Sequence, residues 1–194
     1  MSTETNDFSP QQSLDLIQSM IRQAQGNLLN NSFYFILWGW AILLANLGMY
    51  SLYKFTDFPY PYVVWLIAIP AWIITMIYGS KQGRKAGKKT HLDKINMWMW
   101  VSYGFSILPF IIFMQNIGFN VNPVVLVITS VPTFLTGVIL RFRPLMMGGI
   151  SFYAFGILCF LVSPLNQYLV GAAAIGCGYL IPGYLLKNMR EKNV

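Results

Sequence analysis

Trp38-Gly39-Trp40-Ala41-Ile42-Leu43 is an aromatic, small, aromatic, small, Ile, Leu run, and the chain echoes it twice. The echoes are Tyr103-Gly104-Phe105-Ser106-Ile107-Leu108 and Tyr153-Ala154-Phe155-Gly156-Ile157-Leu158. A second pattern, β-branched, Pro, small, aromatic, follows each copy: Ile69-Pro70-Ala71-Trp72, Val131-Pro132-Thr133-Phe134 and Ile181-Pro182-Gly183-Tyr184. These echoes describe how the chain is built and carry no catalytic chemistry.

Each echo lies inside a long apolar stretch. Six such stretches run near 33–53, 61–80, 96–115, 122–140, 145–163 and 167–186. About 20 residues of helix cross a hydrocarbon core of about 30 Å. The composition agrees. Charged residues make up 10% of the 194 residues and hydrophobic ones 56%, where soluble domains carry about 25% charged. Mean hydropathy is +0.54. Six Trp and eleven Tyr suit the headgroup interface, where one end of the ring stays wet. The reading is an all-α polytopic membrane protein of one domain, residues 32–187. A polar N-terminus with an amphipathic cytoplasmic helix precedes it (1–31), and a basic tail follows it (188–194).

The net charge of +7 is a matter of topology. Lys81, Arg84, Lys85, Lys88, Lys89 and Lys94 fall between the second and third stretches, Arg141 and Arg143 between the fourth and fifth, and Lys187, Arg190 and Lys192 after the sixth. With Arg22, twelve of the thirteen basic residues share one side, and Lys54 alone is opposite. Cytoplasmic loops carry the Lys/Arg excess, so both termini are expected in the cytoplasm. No nucleic-acid partner is needed to explain the charge.

Two spans return the chain to its starting side, so each pair of echoes marks one αα-hairpin. Three parallel hairpins predict a pseudo-threefold six-helix bundle, since parallel repeats are related by an axis along the membrane normal. The aromatic-small-aromatic turns are expected to act as one packing device used three times. Small residues four apart, Ala41/Ala45, Ala172/Gly176 and Ala174/Gly178, suit close helix approach in lipid. Pro70 and Pro132 are read as lying near mid-helix, where each frees an upstream carbonyl. They predict kinks, or alternatively a wet or mobile interior.

Residues 9–28 start with Ser9-Pro10-Gln11-Gln12, a capping pattern. Leu14, Ile17, Ile21, Ala24 and Leu28 then recur at helical spacing, opposite Asp15, Gln18, Arg22 and Gln25. This helix is too polar to span and reads as packing on the bundle's cytoplasmic face, with the lipid surface or dimerisation as alternatives and a protein partner reached through it. The first 30 residues show no basic start before an apolar run, so insertion is expected to use the first span.

Candidate site residues are few. Asn46 is the most isolated polar residue in a span. It is expected to face another helix and hydrogen-bond there, and Thr129, Thr133 and Thr136, with Pro132 alongside, form a stripe that bonds its own backbone; alternatively Asn46 or this stripe lines a cavity. Lys81, Arg84, Lys85, Lys88, Arg141 and Arg143 are candidate contacts for anionic lipid headgroups. Gly79, Gly83 and Gly87 sit among these charges and read as a flexible basic loop.

The six acids all lie outside the spans, which argues against carboxylate-based ion coupling and voltage sensing. No HExxH and no GxSxG occurs, and the single His91 lies in a loop. Cys159 and Cys177 sit at depths roughly 10 Å apart, too far for a disulfide, whose Cα atoms lie within about 7 Å. No cofactor, metal or enzyme activity is expected.

Phe33-Tyr34-Phe35-Ile36-Leu37-Trp38-Gly39-Trp40, Phe58-Pro59-Tyr60-Pro61-Tyr62 and Tyr78-Gly79-Ser80-Lys81-Gln82-Gly83 resemble a group of small bacterial inner-membrane proteins with no assigned activity. The resemblance covers roughly the first 90 residues and implies the same membrane. Mitochondrial-type carriers also use three two-helix repeats, but no acid follows Pro70, Pro132 or Pro182. Seven-helix sugar-efflux proteins need two three-helix units. The first functional expectation is a non-enzymatic membrane component acting through lipid, a protein partner or a second copy in a homodimer. The alternative is a channel or facilitator for a small neutral or apolar solute.

Overall fold

The computed structural model describes residues 32–85 and 91–192, together with Gln11 and Leu14; side chains are described as far as Lys81 before the gap and as far as Met189 at the end. The amphipathic helix read over residues 9–28 lies outside the described residues, apart from those two. So do Gly87, Lys88 and Lys89, and the side chains of Arg84 and Lys85.

Among the described residues the chain is helical, with six segments long and apolar enough to cross a membrane: Ser32–Phe55, Pro61–Lys81, His91–Ile112, Val121–Leu140, Arg143–Leu161 and Asn166–Met189. Helix α1 (Ser32–Phe55) has 24 residues, about 36 Å of rise. It ends where Thr56 folds its amide and hydroxyl back onto the Leu52 carbonyl, at 3.2 and 2.7 Å. The second span opens as a 3-10 helix, Pro61–Ile67, and becomes α2 (Ala68–Lys85) without a break. Pro70 is therefore the third residue of α2 and not a mid-helix kink. It falls at the change of hydrogen-bond pattern, where a missing donor costs little.

Helix α3 (His91–Ile112) starts five residues before the expected boundary, with Asp93 in its first turn. A carboxylate there suits the positive helix end, so the helix runs on past the apolar stretch. It contains Pro109 near its far end. The chain then turns through left-handed Gly118 and Phe119. The Phe119 amide reaches Met114 O at 2.9 Å and the Gly118 amide reaches Gln115 O at 3.1 Å, the two bonds of a Schellman turn. Helix α4 (Val121–Leu140) closes the same way. Arg141 takes the left-handed position (φ 51°), Phe142 N bonds Gly137 O at 2.9 Å, and Arg141 N bonds Val138 O at 3.0 Å. Helix α5 (Arg143–Leu161) follows at once, with Pro144 in its first turn.

Helices α4 and α5 are the closest pair because glycine holds the contact points. A Cβ on Gly149 would lie 2.7 Å from the Phe134 backbone, one on Gly137 would lie 2.6 Å from Met146 N, and one on Gly156 would meet Val127. The last span has three parts: α6 (Asn166–Ile175), a π turn (Gly176–Leu180) and α7 (Ile181–Lys192). Pro182 leaves the Gly178 carbonyl without its usual i+4 donor. That carbonyl lies against Gly148, where a Cβ would come within 2.7 Å. Gly178 in turn sits under the Phe152 ring.

The core lies among α1, α4, α5 and the last span, with Phe35, Leu145, Phe152, Ala174, Tyr179 and Leu186 at its centre. Half of the apolar window of α4 is buried, against 6% for the second and third spans. Helix α2 packs on α1, where Trp38 Nε1 donates to Thr75 Oγ1 at 3.0 Å and Phe33 stacks on Tyr78. Helix α3 packs chiefly on α4. The three aromatic-small-aromatic turns consequently differ in surroundings. Gly39 is pressed under Leu180, Gly104 has nothing within 4 Å, and Ala154 is exposed. The shared packing device expected from the echoes is not seen at all three: Gly39 and Gly156 pack against neighbouring helices, while the Gly104 turn lies on a span whose apolar window is only 6% buried.

Candidate functional site

The threonine stripe of α4 sits deep in the bundle. Thr129, Thr133 and Thr136 are 3%, 0% and 1% exposed. Thr129 Oγ1 donates to Val125 O at 2.6 Å, and Thr133 Oγ1 donates to Thr129 O at 2.8 Å. This is the backbone bonding that helical threonine favours. Thr136 Oγ1 instead crosses to Asn96 Oδ1 on α3, at 2.9 Å.

The Thr129 and Thr136 hydroxyls each also meet an aromatic donor. Tyr103 OH lies 2.7 Å from Thr129 Oγ1. Because the Thr129 proton is committed to Val125 O, the phenol donates. Trp100 Nε1 donates to Thr136 Oγ1 at 3.3 Å. Thr129 and Thr136 thus fasten α4 to α3, while Thr133 bonds within its own helix. Phe35 of α1 packs edge-on against Trp100 and tilted against Tyr179, which closes the cluster on its fourth side.

Asn46 belongs to a second polar group, one of carboxamides. Asn122 Nδ2 donates to Asn46 Oδ1 at 3.2 Å, and Asn46 Nδ2 donates to Ile42 O at 2.9 Å. Gln167 Nε2 donates to Asn120 Oδ1 at 3.0 Å, and Asn120 Nδ2 donates to Ile117 O at 3.1 Å. Gly171 makes room for Asn46, since a Cβ there would lie 2.8 Å from its Oδ1. The group joins α1, the start of α4 and the start of α6. The sequence reading offered Asn46 or the threonine stripe as the lining of a cavity, with a bond to another helix as the expectation for Asn46. They belong to two separate groups, each bonded within the protein.

The basic candidates lie at the opposite end of the spans from the carboxamides. Lys81, Arg141 and Arg143 are exposed. Lys54, the lone basic residue of the other end among the described residues, donates to Tyr50 OH at 2.8 Å and lies over the Tyr50 and Phe55 rings. Cys159 is buried and Cys177 exposed, and both are free thiols.

Two hollows open on the outer surface. One is a cleft of about 350 Å³ at Met76, Ile77, Ser80 and Lys81. The other is an apolar groove of about 310 Å³ between α4 and α5, walled by Val131, Phe134, Leu135, Gly149, Ile150 and Tyr153, with Ser130 at its edge.

Comparison of the chain with protein-family models, with curated proteins and with solved structures finds no match.

Sequence reasoning missed Asn96, Asn122 and Gln167 as partners of the predicted polar residues. All three lie within the first six residues of their helices, where a polar residue looks like an interfacial one. A carboxamide at a span end facing an isolated polar residue in another span is the signal that pairs them.

Proposed function

We propose that this is a non-enzymatic multi-pass protein of a bacterial inner membrane, with its basic end and both termini in the cytoplasm. It acts there through contacts with lipid and protein. The observation that carries this reading is the contrast between its interior and its surface. Interior polar side chains are bonded within the protein, while the exposed lysine and arginine side chains of the described residues, Lys54 apart, gather at one end. The hairpin echoes support an origin in three repeated units, now unequal in packing. A protein partner, including a second copy of this chain, would find the faces of α2 and α3 uncovered.

The interior gives no support to solute conduction. Asn46 and the threonines, the residues that would line a path, are at most 3% exposed and their hydrogen bonds go to protein. Reconstitution into proteoliposomes tests this directly. No flux above empty vesicles is expected for glycerol, urea or ammonia, and a protein-dependent flux would overturn the reading. On the interaction side, a crosslinking pull-down from membranes is expected to lose partners when residues 1–30 are deleted. An unchanged set of partners would count against the N-terminal segment.

A further inference from the structure

We propose that the outer face of the α4–α5 hairpin binds one anionic phospholipid, with its phosphate between Arg141 and Arg143 and an acyl chain in the groove beneath them. The inference deepens the proposed function and rests on its reading that the basic end meets anionic headgroups.

The register of both helices places charge and groove on one strip. On α4, Val131 and Leu135 of the groove are followed at helical spacing by Val138 and then Arg141. On α5, Tyr153 and Ile150 are preceded at the same spacing by Met147 and Arg143. Val138 and Met147 are exposed, so an apolar seam continues from the groove to the turn. From Leu135 to Arg141, and from Arg143 to Gly149, the rise is about 9 Å. The groove therefore starts below headgroup depth, where acyl chain lies.

The turn holds the two arginines in place. Its Schellman closure fixes Arg141 in the left-handed region, while Phe142 between the arginines is buried. Neither guanidinium is engaged in a hydrogen bond or ion pair with another described residue. Two planar forks on a two-residue turn match a phosphodiester, since guanidinium pairs with phosphate oxygens in bidentate fashion. Beneath them, Gly149 brings α5 onto the Phe134 backbone and leaves no side chain of its own to fill the groove. Charge complementarity selects an anionic lipid over a zwitterionic one, by about fivefold per arginine.

The test uses the full chain in nanodiscs of mixed phosphatidylglycerol and phosphatidylcholine, released into native mass spectrometry, with circular dichroism confirming that every variant folds. Wild type is expected to retain one phosphatidylglycerol, with a preference of at least tenfold over phosphatidylcholine. Arg141→Gln/Arg143→Gln is expected to lose that preference, and Arg141→Lys/Arg143→Lys to keep part of it. Val131→Trp fills the groove from an exposed position and is expected to lose retention with both arginines intact. Lys94→Gln, exposed at the same end on α3 and away from the α4–α5 face, is expected to behave as wild type. Retention unchanged in the Arg→Gln pair, or unchanged in Val131→Trp, overturns the site. A loss in Lys94→Gln equal to that of the pair would show diffuse surface attraction, which overturns the site and leaves the broader lipid reading standing. Nanodiscs expose both faces, so an error in the assigned orientation would leave these results unmoved and shows only in thiol labelling in cells.

Discussion

The phenol of Tyr103 donates to the Thr129 hydroxyl across the α3–α4 contact, 2.7 Å away. Helix α3 has little other purchase on the bundle, so its few polar ties matter more than their number suggests. In lipid such a bond is worth about 0.6 kcal/mol on average and up to about 1.7. Tyr103→Phe removes the donor while Thr129 keeps its own bond to Val125 O. A loss near the average is expected. Thr129→Val strands the phenol and should cost about 1 kcal/mol more. Unfolding in mixed micelles measures both, and the double variant isolates the coupling. A coupling of zero would remove this bond from the account of how α3 is held.

The carboxamide group gives a sharper expectation, because two relays meet three helices at one end of the bundle. Asn122→Leu removes the donor to Asn46 Oδ1 and leaves a buried acceptor unfilled. Burying an unsatisfied polar group costs about 1–3 kcal/mol. Gly171→Ala pushes on the same atom from α6, where the added Cβ would lie 2.8 Å away. The two changes act on one oxygen, so their costs should not add. Additive costs in a double-variant unfolding experiment would show that Gly171 and Asn122 act on different parts of the fold.

The two relays also mark where sequence reasoning stops. Six spans were legible because 20 apolar residues in a row have one physical solution. Asn46 and the threonines stood out for the same reason, as polar residues surrounded by apolar ones. Their partners did not. Gln167 and Asn122 lie at helix starts, where water could satisfy them, and Trp100 and Tyr103 look like ordinary core aromatics. Pro70 was misplaced because a 3-10 helix and an α-helix share one apolar run, and only the hydrogen-bond pattern separates them. The tight α4–α5 contact was hidden as well. Its glycines at 149 and 156 are seven apart, so no four-residue small-residue pattern reveals them. The unequal cover of α2 and α3 depends on tertiary packing that a single helix pattern does not encode.

Glycine therefore supplies a contrast that can be measured. Gly104 and Gly149 are both helical, one in open space and one against the Phe134 backbone. Gly104→Ala should be neutral or stabilising, by up to about 1 kcal/mol, since alanine is the better helix former. Gly149→Ala gains the same propensity but forces α4 and α5 apart, and overpacking typically costs about 1–3 kcal/mol. The sign of the change should differ between the two positions. Thermal unfolding in detergent, followed by circular dichroism at 222 nm, reads it. Equal effects would mean that the α4–α5 contact yields without cost.

The orientation proposed for the chain rests on the distribution of charge, and Lys54 is its one exception. Its ammonium donates to Tyr50 OH and lies over two rings of the same helix, the arrangement by which a lysine near a span end keeps its charge at the interface. On the proposed orientation it is thus accommodated on the translocated side, opposite the described basic residues of the other end. Thiol labelling can read this. Cys159 is buried and Cys177 lies within the last span, so neither should react with a membrane-impermeant maleimide, and the native chain gives a blank background. Lys54→Cys is expected to label in intact cells. Lys81→Cys and Arg141→Cys are expected to label only after the membrane is opened. Labelling of Arg141→Cys in intact cells would reverse the topology and place the arginine pair of the α4–α5 turn in the other leaflet.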